Sequence, residues 1–277
     1  MSTELIESEE MVKINRKGIL AGKKGIILGI ANKWSIAWGI ANSLHEAGAE
    51  LLFTYQDRVK DRVEKLAEEL GGIKTLECDV TDEILLEKSF QEIGKLFNGK
   101  IDFVIHSVAF AKKEELEGRY VDTSREGYLL AQDISAFSLA AVAKQAEPLL
   151  KANGGGSIVT LTYLGGERVI KNYNVMGVAK AALECSVKYL ANDLGPDKIR
   201  VNAISAGPIK TLAASAISGI QTLINEIAQI SPLRKNTETE EVGDTALFLV
   251  SDLSRGITGE VIHVDAGFHV LAATKCG

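Results

Sequence analysis

The sequence predicts an α/β domain built on a doubly wound, seven-stranded parallel sheet with helices on both faces. Two observations carry this: seven short apolar, β-branched runs alternate strictly with longer helical patterns, and those runs are apolar at successive positions rather than at every second one. A parallel crossover needs a helix to return the chain, and a sheet covered on both sides has strands with no polar face. In chain order the runs are Gly25–Ile30, Glu50–Tyr55, Ile73–Cys78, Ile101–His106, Ser157–Thr162, Arg200–Ile204 and Val261–Val264. Helical patterns lie between them over 36–48, 57–70, 82–97, 123–151, 172–194 and 213–228 with 238–251. In the first, Ile36, Ile40 and Leu44 recur along one face, and Ser35 stands where an N-cap belongs. The expected architecture is of Rossmann type, in which ligands sit beyond the carboxyl ends of the strands where the strand order reverses.

Composition agrees with this class and excludes others. With 277 residues, 46% hydrophobic and 25% charged, the chain fits one large or two small globular domains. No Pro- or Ser-rich linker and no repeat interrupts Gly18 to His269, so a single domain over 18–277 is expected, preceded by an acidic, flexible tail over 1–17. The 31 Lys and Arg against 37 Asp and Glu give a net charge of -6 without a basic run, which disfavours nucleic acid. No uncharged stretch exceeds fifteen residues, the length of Thr211 to Asn225, short of the roughly 18–20 a bilayer requires, so no membrane span is expected. Cys78, Cys185 and Cys276 are too few and too scattered for a disulfide framework or a metal centre. A cytoplasmic setting follows.

The strand exits carry the candidate chemistry. After the first strand, Gly29 is followed by Ser35-Ile36 at the start of a helix, where free N–H groups and the helix dipole attract a pyrophosphate. The spacing is not G-x-G-x-x-G, and Gly29 and Gly39 equally suit a tight turn and close helix packing. The second strand exits into Gln56-Asp57, where an amide or acidic side chain meets an adenosine ribose. Arg58 and Lys60 lie near but not at the strand end, so NADH is expected over NADPH. Asp79 and Val80, His106 to Ala109, and Ser205 to Ile209 follow other strands, with Asp79 suited to the adenine amino group. Their joint placement favours a dinucleotide cofactor over ordinary loops.

The fifth strand runs into Tyr163, and Tyr173-Asn-Val-Met-Gly-Val-Ala-Lys180 opens the next helix. Seven residues at about 100° each bring Lys180 back to within about 20° of Tyr173. A phenol beside an ammonium favours its ionised form or an anion next to it, and the pair can donate to a developing oxyanion while the lysine holds ribose hydroxyls. His106 lies inside an apolar strand and reads as a satisfied buried imidazole, and His45, His263 and His269 show no ligand spacing.

These segments, with His106-Ser-Val-Ala-Phe-Ala111, Tyr163-Leu-Gly and Ser205-Ala-Gly-Pro-Ile-Lys-Thr-Leu-Ala213, resemble bacterial enoyl-acyl-carrier-protein reductases, a divergent branch of the short-chain dehydrogenase/reductase superfamily. The likeness runs from about Gly18 to His269. The wider superfamily uses Tyr-x₃-Lys; here position 177, four residues after Tyr173, is glycine. The resemblance implies that Tyr163, Tyr173 and Lys180 form the reaction centre. It implies that Gly29, Ser35, Ile36, Gln56, Asp79, Val80, Val108, Lys180, Ile209, Lys210, Thr211, Leu212 and Ala213 contact NADH. Ala111, Tyr163, Tyr173, Met176, Ile220 and Leu223 would meet the acyl substrate, with a substrate-binding loop at about 211–228. Ala109 stands where the family often has glycine, and Lys112-Lys113 replaces a commoner Pro-Gly.

The implied activity is the reduction of a trans-2-enoyl thioester on acyl carrier protein, in fatty-acid biosynthesis, by a homotetramer. A patch of Lys112, Lys113, Lys210, Arg234 and Lys235 is the expected dock for that acidic carrier. A ketoacyl or alcohol reductase of the same superfamily and a non-catalytic dinucleotide sensor remain as alternatives.

Overall fold

The computed structural model describes residues 15–211 and 220–272. Most of the expected tail, Leu212, Ala213 and Cys276, and the side chains of Ile220 and Leu223, lie outside the described residues. The chain runs β1 (Lys24–Leu28), α1 (Ile36–Glu46), β2 (Glu50–Tyr55), α2 (Lys60–Glu69), β3 (Lys74–Glu77), α3 (Glu83–Leu96), β4 (Phe103–His106), α4 (Arg125–Gln132), α5 (Ser138–Ala152), β5 (Gly156–Thr162), α6 (Asn174–Leu194), β6 (Ile199–Ala206), α7 (Ile220–Ile230), α8 (Thr239–Val250) and β7 (Val261–Val264). All seven strands form one parallel sheet in the order β3-β2-β1-β4-β5-β6-β7.

Successive strand residues point to opposite faces, so both faces need a partner. Ile27, Phe53, Ile105, Val159 and Ile204 join Ile40, Leu44, Leu66, Val242 and Leu249 in one buried cluster, made with α1, α2 and α8. Ile26, Leu52, Val104, Ile158 and Val201 join Phe90, Ile93, Val142 and Leu183 in the other, made with α3, α5 and α6. The edge strands depart from the all-apolar expectation: β3 carries an exposed residue at each end and β7 is only half-buried throughout. An edge has a neighbour on one side only.

The helical pattern expected over 123–151 is present as α4 and α5, which run on from one another through a π-helical turn at Asp133–Phe137. Two serines in and after the turn face the exit of β4. Ser135 Oγ accepts from the Phe110 N–H at 2.9 Å and donates to the Phe110 carbonyl at 3.0 Å, while Ser138 meets His106 at 2.9 Å. The extra residue in the turn lets both reach the exit of β4. At the N-terminal side, Arg16 pairs with Asp244 at 2.5 Å and Glu46 at 2.9 Å.

Candidate active site

Because the strands are all parallel, their carboxyl ends share one rim, and the order reverses between β1 and β4. There Gly29 has φ +92°, and a Cβ on it would stand 1.9 Å from the Ser107 carbonyl oxygen. The two strand exits approach so closely that only glycine fits. Ser35 caps α1 as expected: its Oγ accepts from the Trp38 N–H at 3.2 Å and donates to the Asn32 carbonyl at 2.7 Å. Its proton is thereby committed, which leaves the N–H groups of Ile36 and Ala37 at the open helix end as donors for an anion.

At the exits of β2 and β3, Gln56 Nε2 donates to Asp79 Oδ2 at 2.8 Å. Arg58 turns back and donates to Gln56 Oε1 at 2.8 and 3.1 Å. The expectation that no cation stands at this strand end is corrected: side-chain reach places the guanidinium there. Partial burial opposes charge on Asp79, yet the N–H and hydroxyl of Thr81, the Gln56 amide and Arg58 hold its carboxyl below the usual range. A cavity of about 450 Å³ lined by Asp57, Arg58, Lys60, Arg62 and Lys65 opens beside it. Val80 and Val108 are half-buried against the core on the α3, α5 and α6 face, and Ile36 and Ile209 against the other. Lys210 is exposed, and the Thr211 N–H donates to the Ile209 carbonyl at 2.8 Å.

The tyrosines and the lysine meet at the exit of β5. Tyr173 is the N-cap of α6 rather than its first residue, but its carbonyl accepts from the Gly177 N–H at 2.9 Å, so the register with Lys180 holds. The rings of Tyr163 and Tyr173 pack edge to face, centroids 5.0 Å apart. Ala111, Tyr163, Tyr173 and Met176 share one apolar cluster with Leu116, Ala131 and Val175. Lys180 is buried and its Nζ donates to the Leu161 carbonyl at 2.7 Å. Burial pushes its ammonium down to about 8, opposed by Glu184.

The expectation that the ammonium draws the phenols toward ionisation is corrected. Burial pushes Tyr163 up to about 12, with Asp265 adding to it, and pushes Tyr173 further in the same direction, with Tyr163 and Glu184 adding to it. Desolvation of a phenolate sets the direction, and the neighbouring charged side chains that act on the two rings, Asp265 and Glu184, are carboxylates rather than the ammonium. Both phenols are donors at neutral pH, and the buried Tyr163 hydroxyl has no hydrogen-bond partner among the described residues.

His106 is the satisfied imidazole expected. Ser138 Oγ donates to the Ile134 carbonyl and so accepts from Nε2, while Nδ1 lies 2.9 Å from Thr160 Oγ1. Burial, with Lys180 adding, pushes it down to about 3. Sequence reasoning missed Glu184, whose Oε1 accepts from Thr162 Oγ1 at 2.5 Å beneath this site. It also missed Asp265, a buried carboxylate that accepts from the Gly267 and His269 N–H groups and the His269 ring. Of the basic patch, Lys112 pairs with Glu126, Lys113 with Glu117 and Lys235 with Glu241. Arg234 donates to the carbonyls of Gln229 and Ile230 at the end of α7, and Lys210 has no ion-pair partner among the described residues.

This donor set fits a nicotinamide dinucleotide: helix-end N–H groups for a pyrophosphate, an amide–carboxylate pair for the adenosine, a buried ammonium on α6, and two phenols in edge-to-face contact, one lacking a partner among the described residues. Fold and site together define a dinucleotide-dependent oxidoreductase of short-chain dehydrogenase type. The family model described as enoyl-(acyl carrier protein) reductase matches residues 29–269. The NADH-dependent enoyl-acyl-carrier-protein reductase of Bacillus cereus is 57% identical over 256 residues, 91% of this chain and 99% of that protein. The NADPH-dependent enzyme of Staphylococcus aureus is 54% identical over 91% of this chain and 98% of its own length. Among solved structures, the Bacillus cereus enzyme with NADP+ and an indole naphthyridinone superposes with a TM-score of 0.89 at 56% identity, covering 92% of this chain and 99% of that one. The Anaplasma phagocytophilum enzyme with NAD gives 0.90 at 50%, covering 95% and 100%. The chain belongs to the enoyl-acyl-carrier-protein reductase family.

Proposed function

We propose that this protein reduces the carbon–carbon double bond of a trans-2-enoyl thioester carried by acyl carrier protein, in fatty-acid biosynthesis. The observation that carries the reading is the pair of phenols in edge-to-face contact, one of them with a buried hydroxyl that has no partner among the described residues, sharing an apolar cluster with Ala111 and Met176. A bound nicotinamide dinucleotide supplies the hydride that reaches the β-carbon. The chain's residues do the rest. Ile36 and Ala37 N–H groups, with Gly29 keeping the approach open, hold the pyrophosphate; Gln56 and Asp79 hold the adenosine; Lys180 holds the nicotinamide ribose. Tyr173 donates to the thioester oxygen as charge gathers there, the low-polarity surroundings strengthen that bond, and the resulting enolate takes a proton at its α-carbon from Tyr173, Tyr163 or solvent to give the saturated acyl chain. Tyr163, Ala111 and Met176 exclude water from the acyl chain.

NADH is the donor proposed. Arg58 beside Gln56 supports a second reading, in which a 2′-phosphate is also accepted. Replacing Arg58 by Ala raises the Michaelis constant for NADPH by about tenfold and leaves that for NADH unchanged if the guanidinium reads the phosphate. The carrier docks at Lys210 and Arg234, since the other patch cations are already paired; reversing both charges weakens turnover of carrier-linked substrate and spares the coenzyme A thioester. Cytoplasmic location and a homotetramer belong to this reading. Among the described residues no helix is long and apolar enough to cross a membrane.

The test is loss of nicotinamide absorbance with crotonyl-coenzyme A beside acetoacetyl-coenzyme A, repeated with Tyr173→Phe. Turnover of the enoyl substrate alone, lowered about a hundredfold or more in the variant, is expected. Turnover of acetoacetyl-coenzyme A alone points to a ketoacyl reductase, and binding of NADH without turnover of either points to a sensor.

A further inference from the structure

Three consecutive residues at the end of β5 are each held by a different group. The Leu161 carbonyl accepts from Lys180, Thr162 Oγ1 donates to Glu184 Oε1 at 2.5 Å, and Tyr163 packs on Tyr173. Lys180 and Glu184 are one turn apart on α6, so one helix face stitches two successive strand residues. The same carboxylate also lies against the chain on the far side of Tyr163, at Gly166. A Cβ on Gly166 would stand 2.7 Å from Glu184 Oε1, so glycine at 166 is what lets the turn settle on it. One residue earlier, a Cβ on Gly165 would stand 2.4 Å from Cδ1 of Tyr173 and 3.3 Å from Cδ1 of Tyr163. The Gly166 N–H closes the turn by donating to the Tyr163 carbonyl at 2.8 Å. Tyr163 is thus bracketed at 162 and at 166 by a single buried side chain.

We infer that Glu184 is a positioning residue: by gripping Thr162 on one side of Tyr163 and backing Gly166 on the other, it sets the angle at which the Tyr163 ring meets Tyr173. A carboxylate in this place carries a cost, because burial pushes its titration upward and Thr162 is the hydrogen-bond donor it meets among the described residues. A residue that served only to fill space would be apolar. A grip that holds a reacting group to a fraction of an ångström gives the carboxylate a reason to be there, since small misplacements of a donor cost turnover steeply.

The inference rests on the assignment of Tyr163 and Tyr173 to the reaction centre, and its test separates the two. Glu184→Gln keeps an acceptor for Thr162; Glu184→Leu removes it; Thr162→Val removes the donor with almost no change of shape. The clamp predicts that Glu184→Leu and Thr162→Val each lower kcat by about tenfold, leave the Kd for NADH within about twofold, and together cost no more than the worse of the two, while Glu184→Gln stays within about threefold of wild type. Fluorine NMR of fluorotyrosine-labelled protein reads the clamp without activity, with the Tyr163 resonance assigned by its loss in Tyr163→Phe. That resonance moves in Glu184→Leu and Thr162→Val and not in Glu184→Gln. If Glu184→Leu does not fold, Thr162→Val carries the test alone. An unmoved resonance in Thr162→Val, additive losses, or a Glu184→Gln as impaired as Glu184→Leu each overturns the clamp. Wild-type kcat in Tyr163→Phe overturns the assignment of the site instead, whatever the resonances show.

Discussion

Replacing His106 by Leu removes a buried base and leaves both of its hydroxyl neighbours satisfied. Ser138 still donates to the Ile134 carbonyl at 2.6 Å and Thr160 to the backbone carbonyl of residue 106 at 3.2 Å. The imidazole is pushed from 6.5 to about 3, burial first and Lys180 second. A base whose folded value is depressed stays neutral in the native state while the unfolded chain takes up a proton, so stability falls as the pH drops below 6.5 and goes on falling until about 3. At about pH 5 the unfolded chain is favoured by about 2 kcal/mol relative to neutral pH, and any folded value below about 4 gives the same figure. Urea unfolding of wild type and variant at neutral pH and at about pH 5, at one protein concentration, measures it. Wild type loses about 2 kcal/mol relative to the variant on going to the lower pH. Parallel profiles would refute the argument, since they would mean that the folded protein accommodates the imidazolium. Parallel profiles with collapsed turnover in the variant would place the imidazole in the chemistry.

Gly29→Ala combines φ +92° with a Cβ 1.9 Å from the Ser107 carbonyl oxygen, so it destabilises by more than about 3 kcal/mol, read as a fall in the thermal midpoint. Ser35→Ala removes the cap on Trp38 and costs about 1 kcal/mol in urea, while NADH affinity drops only about threefold, because the Ser35 proton is already committed to Asn32. Lys180→Met weakens NADH binding by at least about tenfold yet stabilises the apoprotein below pH 8. A buried ammonium depressed to about 8 costs stability while protonated, and wild type regains it as the pH climbs from about 8 toward 10.5, whereas the variant's thermal midpoint lacks that rise.

Strand number, parallel direction and both helical layers were legible because they rest on periodicity, and Glu50–Tyr55 and Val261–Val264 coincide with the observed strands residue for residue. The π-turn was not legible, since one added residue at Asp133–Phe137 leaves the apolar spacing on either side intact and the contact that goes with it, two serines reaching the exit of β4, is a tertiary one. Arg58 was placed away from the ribose position because sequence distance ignores the reach of a guanidinium folding back two residues. Glu184 was invisible for the opposite reason: a charged residue on an amphipathic helix reads as solvated. Its signal was the pair Gly165-Gly166 after Tyr163, two positions where packing excludes a side chain.

The spacing that sets this chain apart from Tyr-x₃-Lys has a steric basis. Keeping Tyr173 and restoring the superfamily spacing would put a lysine at 177, where any Cβ would stand 2.8 Å from the Gly165 carbonyl oxygen. Keeping Lys180 would put the tyrosine at 176, where Met176 lies buried in the cluster with both phenols. The first route is closed by the Gly165 turn against the first turn of α6, and the second would displace Met176 from that cluster, while Tyr173 stands at the N-cap, one step off the helix. The phenol therefore stands further from the lysine along the chain than a ketone reductase places it. In a ketone the carbon that receives hydride bears the oxygen that gains charge. In an enoyl thioester those two atoms are separated by the α-carbon and the carbonyl carbon, so a phenol shifted away from the lysine suits the more distant oxygen. On the proposed assignment of Tyr173 as oxyanion donor, the close packing that excludes lysine from 177 goes with a donor suited to the more distant oxygen of a 1,4-reduction.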